Sequence, residues 1–155
     1  DKDTSDYVSG QVWGRSGVDN YLLDRHHERM GIVDTMKAIQ VMTSKWPNAV
    51  AKLIEDKANG SAVIEMLQKK IKGIVAINPQ GGKEVRAQAV APLWEAGNVY
   101  LPHPLWKPYT DEILDELTAF PNADHDDDVD SMSQALVRLD HKPTRTRRTK
   151  RKTAF

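Results

Sequence analysis

The feature that most constrains the fold is an alternation of two hydrophobic rhythms, strand-length apolar runs and helix-period stretches, from Tyr7 to Leu139. Tyr7-Val8-Ser9-Gly10-Gln11-Val12-Trp13 alternates apolar with small or polar residues, the period of a half-buried strand. Arg15 to Asn20 supplies turn chemistry, and Tyr21-Leu22-Leu23-Asp24-Arg25-His26 reads as the returning strand of an antiparallel pair. Met36, Ile39, Met42 and Trp46 then recur at helical spacing, stopped by Pro47-Asn48. Ala51-Lys52-Leu53-Ile54 is a short apolar run ending in Glu55-Asp56, and Asn59-Gly60-Ser61 opens a helix with Val63, Met66, Leu67 and Ile71 on one face. A strand over Gly73 to Pro79, a helix from Lys83 to Ala96 and a brief strand at Val99 to Pro102 follow. An amphipathic helix from Tyr109 to Phe120, carried by Ile113, Leu114 and Leu117, and a last helix from Asp127 to Leu139 complete the order. A hairpin followed by alternating strands and helices predicts a mixed α/β sheet flanked by helices on both faces.

With 155 residues the chain suits one domain with a real core, expected over residues 1–140. Residues 141–155 contain almost nothing apolar to bury and read as a basic, disordered tail. No apolar run approaches the length needed to span a bilayer, and Asp1 to Asp6 lack the apolar core of a signal peptide. Cysteine is absent, which excludes disulfides, thiolate zinc sites and cysteine nucleophiles, and fits a reducing cytoplasm.

Net charge is zero, yet charge is segregated. Acid gathers in Asp124-His125-Asp126-Asp127-Asp128-Val129-Asp130, and base in Arg145, Arg147, Arg148, Lys150, Arg151 and Lys152. Blocks of like charge repel themselves unless a counter-ion or partner is present. One block suits cations and the other a polyanion.

Glu55 and Asp56 stand at the end of a buried strand, where open α/β sheets place their ligands; a solvated loop start is the bland alternative. Neighbouring strand residues point to opposite faces, so one of the two is expected to enter a site, and which one is left open. The second acidic group has five aspartates within seven positions, more than helix capping requires. Asp127 and Asp130, three apart, are expected to share a helix face, with Asp128 turned elsewhere and Asp126 at or just before the cap. Oxygen-only ligands suit Mg²⁺ or Mn²⁺, and two such ions about 3.5–4 Å apart can drive phosphodiester cleavage. An EF-hand is excluded, because the internal Gly and closing Glu are missing.

Other motifs weigh less. His26-His27 lacks the spacing of a helical zinc pair and reads as surface, and His125 as an ordinary loop histidine beside acid. Gly81-Gly82-Lys83 is no P-loop, since the spacing is wrong and Glu84 replaces Ser or Thr. Lys83 and Arg86, one turn apart, suit either a DNA backbone or a solvated helix face. The four tryptophans, Trp13, Trp46, Trp94 and Trp106, are assigned to the core or its edge.

An ordered set of segments resembles the C-terminal nuclease domain of tailed-phage large terminases. The set comprises Ser5-Asp6-Tyr7 leading to Val12-Trp13-Gly14, Tyr21-Leu22-Leu23-Asp24, and Ile54-Glu55-Asp56-Lys57-Ala58-Asn59-Gly60. Lys83-Glu84-Val85-Arg86-Ala87, Gly97 to Pro102, and Phe120-Pro121-Asn122 running into His125 to Asp130 continue it. The resemblance covers Asp3 to Leu139 and implies a ribonuclease H-like fold and a two-metal endonuclease that cuts concatemeric double-stranded DNA during packaging. It implies metal ligands among Glu55, Asp56, Asp127 and Asp130, with Asp126 beside them, and two Mg²⁺ or Mn²⁺ ions. It also implies a first acid on a strand expected upstream of Asp1, so Asp6 is not taken as a ligand. By the same resemblance the partners are an upstream ATPase domain, the small terminase subunit and the portal, and the setting is the procapsid in the host cytoplasm. Two other functions compete: a DNA-binding or packaging-assembly module without cleavage, and a resolvase- or integrase-like nuclease on the same fold.

Overall fold

The computed structural model describes residues 7–56 and 60–141. Two long strands, β1 (Tyr7–Ser16) and β2 (Asp19–Arg29), pair antiparallel around a turn in which Gly17 takes φ +61°. Helix α1 (Ile32–Lys45) follows and ends at Trp46, ahead of Pro47. Then come β3 (Lys52–Glu55), α2 (Gly60–Gln68), β4 (Ile74–Ile77), α3 (Lys83–Glu95), β5 (Val99–Tyr100), α4 (Tyr109–Ala119) and α5 (Asp127–Asp140). Every expected element is present, most within two residues of its expected bounds, while β2 runs three residues past His26.

The strands form two sheets. In the first, β2 lies between antiparallel β1 and parallel β5; in the second, β3 and β4 pair in parallel. Each has its own apolar cluster. Leu22, Val90, Ile113, Met132 and Leu136 are buried where α3, α4 and α5 cover the first sheet, with Trp13 and Trp94 against them. Ile64, Leu67, Ile71 and Ile74 form the second cluster, onto which Met36 and Ile39 of α1 pack. Met42, further along α1, lies against the first sheet, where a methyl added at Gly10 would sit 3.4 Å from its Sδ. Helix α1 therefore touches both layers.

Three expectations about side chains are corrected. Met66 and Leu114 face solvent, and Ile64 and Glu116 take the buried positions on their helices. Trp106 is 80% exposed on the loop before α4 instead of lying in the core. The basic tail lies outside the described residues.

One irregularity aims the functional face. The pairing slips between Val12 and Trp13, so that Val12 faces Asp24 and Trp13 faces Leu22, leaving Leu23 extra on β2. A bulge of this kind changes the phase of strand alternation. Leu22 and Arg25, three residues apart, thereby both meet the layer of α4 and α5. Asp24 between them turns to the other side, where Lys45 Nζ and Trp46 Nε1 donate to it at 2.6 and 2.8 Å.

Candidate functional site

Helix α5 enters the molecule between β1 and α3, with Asp126 at its N-cap and Asp127 half-buried and Asp128 and Asp130 buried in its first turn. A bare cluster of four carboxylates would repel itself, and most of its charge is met by cations from both neighbours. Asp128, fully buried, accepts from Arg25 through Nε at 3.1 Å and Nη2 at 2.5 Å, and from Ser9 Oγ at 2.7 Å. Gln11 Nε2 adds a bond at 3.1 Å, and Trp13 Nε1 in turn holds Gln11 Oε1 at 2.8 Å. Burial alone would push the Asp128 carboxyl up; the hydrogen bonds from Arg25 and Ser9 outweigh it and hold the group below the ordinary range. Asp128 is thus turned away from Asp130 but shares the hairpin side with Asp127, each 3.9 Å from His27, and it anchors the hairpin to α5.

The opposite flank faces α3. Arg86 reaches Asp130 with Nη2 at 2.5 Å and Nε at 3.1 Å, and Lys83 Nζ reaches Asp126 at 2.6 Å. Asp126 and Asp130 lie four apart, one turn of helix, so α3 reads them as a ladder. The expected pairing of Asp127 with Asp130 on one face therefore gives way: Asp130 turns to α3, and Asp127 turns toward the hairpin. Lys83 and Arg86, read from sequence as DNA contacts or solvated residues, are the counter-ions of this ladder.

Asp126 occupies the N-cap position, but its side chain makes no capping bond. Glu116 of α4 does that work instead, its Oε1 accepting the Val129 N–H at 2.8 Å. Only 9% exposed and close to Asp128, Glu116 has its carboxyl pushed up to about 7, chiefly by burial.

Asp127 differs from its neighbours. Its side chain is 31% exposed, and its recorded ion-pair contact is His27 Nε2 at 3.9 Å. His27, expected on the surface, is a correction: its side chain is 13% exposed and packs tilted against Tyr7, with centroids 4.9 Å apart. Tyr7 also meets His125 edge-on at 5.0 Å, so His27, Tyr7 and His125 form one run of ring contacts. The sequence signal for His27 is register: with the bulge placed, positions 25 and 27 fall on the face that meets α5.

Glu55 ends β3, half-buried, and Asp56 follows it, exposed, accepting from Ser61 Oγ at 3.1 Å. Among the described residues, no three His, Asp or Glu side chains converge closely enough to hold a metal ion. The donor chemistry nevertheless fits a hard divalent cation: Asp127, Glu55 and Asp56 offer carboxylate oxygens, the ligand type of Mg²⁺ and Mn²⁺. Among the described residues no helix is long and apolar enough to cross a membrane.

Comparison with known proteins adds one match. The family model described as the terminase RNaseH-like domain matches residues 1–139. No curated protein matches the chain.

Proposed function

Because the chain belongs to the terminase RNaseH-like domain family and so has the ribonuclease H-like fold, we propose that it is the DNA-cutting module of a viral packaging terminase. The observation carrying this reading is Asp127, which among the described residues has His27 and no Lys or Arg as its ion-pair contact, while cations neutralise Asp126, Asp128 and Asp130. In this reading Asp127 and one of Glu55 or Asp56 are the carboxylates that hold Mg²⁺ or Mn²⁺. When bound, such an ion lowers the pKa of water and stabilises charge on a leaving phosphodiester oxygen.

The chain's own residues set up that chemistry. Arg25, seated on Asp128, fixes the start of α5 against the hairpin. Arg86 and Lys83 remove the repulsion that would otherwise splay Asp130 and Asp126 away from Asp127. The substrate is double-stranded DNA, contacted through its phosphates and hence with weak sequence preference. Its further partners are the terminase motor domain, the small subunit and the portal, working in the host cytoplasm.

Manganese-soaked crystals test the site: an anomalous peak within coordination distance of both Asp127 and a β3 acid is expected, and no peak at Asp127 would overturn it. A second reading, a DNA-binding or assembly module that does not cut, draws on the ion-paired state of Asp126, Asp128 and Asp130. It requires duplex binding without Mn²⁺-dependent nicking of supercoiled plasmid.

A further inference from the structure

We propose that His27 is a positioning residue for Asp127, orienting its carboxylate through a hydrogen bond from Nε2–H; this rests on reading Asp127 as a metal ligand. The tautomer follows from the neighbours. Arg25 Nη2 stands 2.7 Å from His27 Nδ1, and a guanidinium can only donate. Nδ1 therefore accepts, which leaves Nε2 to carry the ring N–H. Arg25 cannot swing away, because Asp128 holds its Nε at 3.1 Å and Glu112 holds its Nη1 at 2.7 Å.

The Nε2–H is buried and has no hydrogen-bond partner among the described residues. A buried donor left unsatisfied costs about 1–3 kcal/mol, so its position needs an explanation. The acceptor that faces it is Asp127 Oδ2 at 3.9 Å, on a side chain exposed enough to move by the ångström that closes the bond. Tyr7 packs on the ring and keeps it from rotating away. With Oδ2 tied to His27, Oδ1 is the oxygen left to face a cation. Ligand-orienting bonds of this sort are commonly worth 10–100-fold in metal affinity. The relay Asp128–Arg25–His27–Asp127 thus converts a buried ion pair into a fixed carboxylate orientation.

Two measurements test this. In ¹⁵N-histidine-labelled protein, His27 should show an Nε2–H whose proton exchanges slowly and shifts in Asp127→Asn but not in Asp126→Asn. An Nδ1–H tautomer, or a resonance blind to Asp127, overturns the proposal. Mn²⁺ titration followed by electron paramagnetic resonance supplies the second arm. His27→Asn keeps an acceptor for Arg25 but is too short to reach Asp127; it should melt near wild type yet bind Mn²⁺ roughly 10–100-fold more weakly. His27→Gln, whose amide nitrogen stands where Nε2 stood, should restore binding. Wild-type affinity in His27→Asn would sink the positioning role. Absence of Asp127-dependent Mn²⁺ binding in the wild type would sink the metal reading itself, with the labelled spectrum still deciding the His27–Asp127 bond.

Discussion

Arg25 and Asp128 are 7% and 1% exposed, so neither charge has water to fall back on. Removing one partner of a buried pair leaves the other uncompensated, at a cost of roughly 3–5 kcal/mol. Asp128→Ala should therefore lower unfolding free energy by about that much in urea denaturation; a loss under about 1 kcal/mol would mean water already reaches Arg25. Glu116 makes a prediction of opposite pH sign. Its carboxyl, pushed up to about 7, keeps its proton in the folded state where the unfolded chain has lost it. Stability from this group is complete below its ordinary value of 4.5 and declines as pH rises through about 7. Asp128, with its carboxyl held low, instead contributes above its ordinary value of 3.8 and fails in stronger acid. Glu116→Gln keeps an oxygen for the Val129 N–H and removes the titration. The variant should flatten the fall in melting temperature between pH 5 and pH 8, and an unchanged fall would assign it to another group.

At the scale of elements, the link from α2 to β4 turns on Gly73. It adopts φ +82°, and a Cβ there would come within 2.0 Å of the Val50 carbonyl oxygen, while its own carbonyl accepts the Lys52 N–H at 2.8 Å. Gly73→Ala should cost more than about 1 kcal/mol, since strain adds to a backbone collision; a circular dichroism melt within a degree of wild type would contradict that. Gly73 was read from sequence only as the start of a strand, because its constraint comes from a segment twenty-odd residues away. Periodicity revealed all ten elements for the same reason in reverse: hydrophobic spacing is local, and α5 or β1 can be recognised without its neighbours. The site divides along this line. Asp126 to Asp130 stand out as composition, and Asp126 at the cap is local geometry. That Arg25 and Arg86 neutralise two of these acids depends on the bulge at Leu23 and on α3 lying beside α5, neither of which spacing reveals. His27 was misread as surface because a one-residue slip reverses which face a strand residue joins.

Across the whole molecule, zero net charge conceals a division of labour. Arg25, Lys83 and Arg86 are already committed to the acids of α5, so they offer duplex DNA little free charge. The largest basic block in the sequence is Arg145 to Lys152, with six cations and no apolar residue in eight positions. Such an arm would raise the local concentration of DNA around α5 without touching the metal ligands. Each phosphate neutralised adds about 0.9 to the negative slope of log affinity against log salt on duplex DNA. Deleting Thr144 to Phe155 should weaken binding most at low salt and flatten that slope, whereas Lys83→Ala should leave it nearly unaltered. Cleavage at saturating DNA should survive the deletion, because the proposed site lies at α5 and β3. If the slope stays the same after truncation while Lys83→Ala flattens it, the α3 cations leave their acids to meet DNA, and the tail's basic charge serves a protein partner instead.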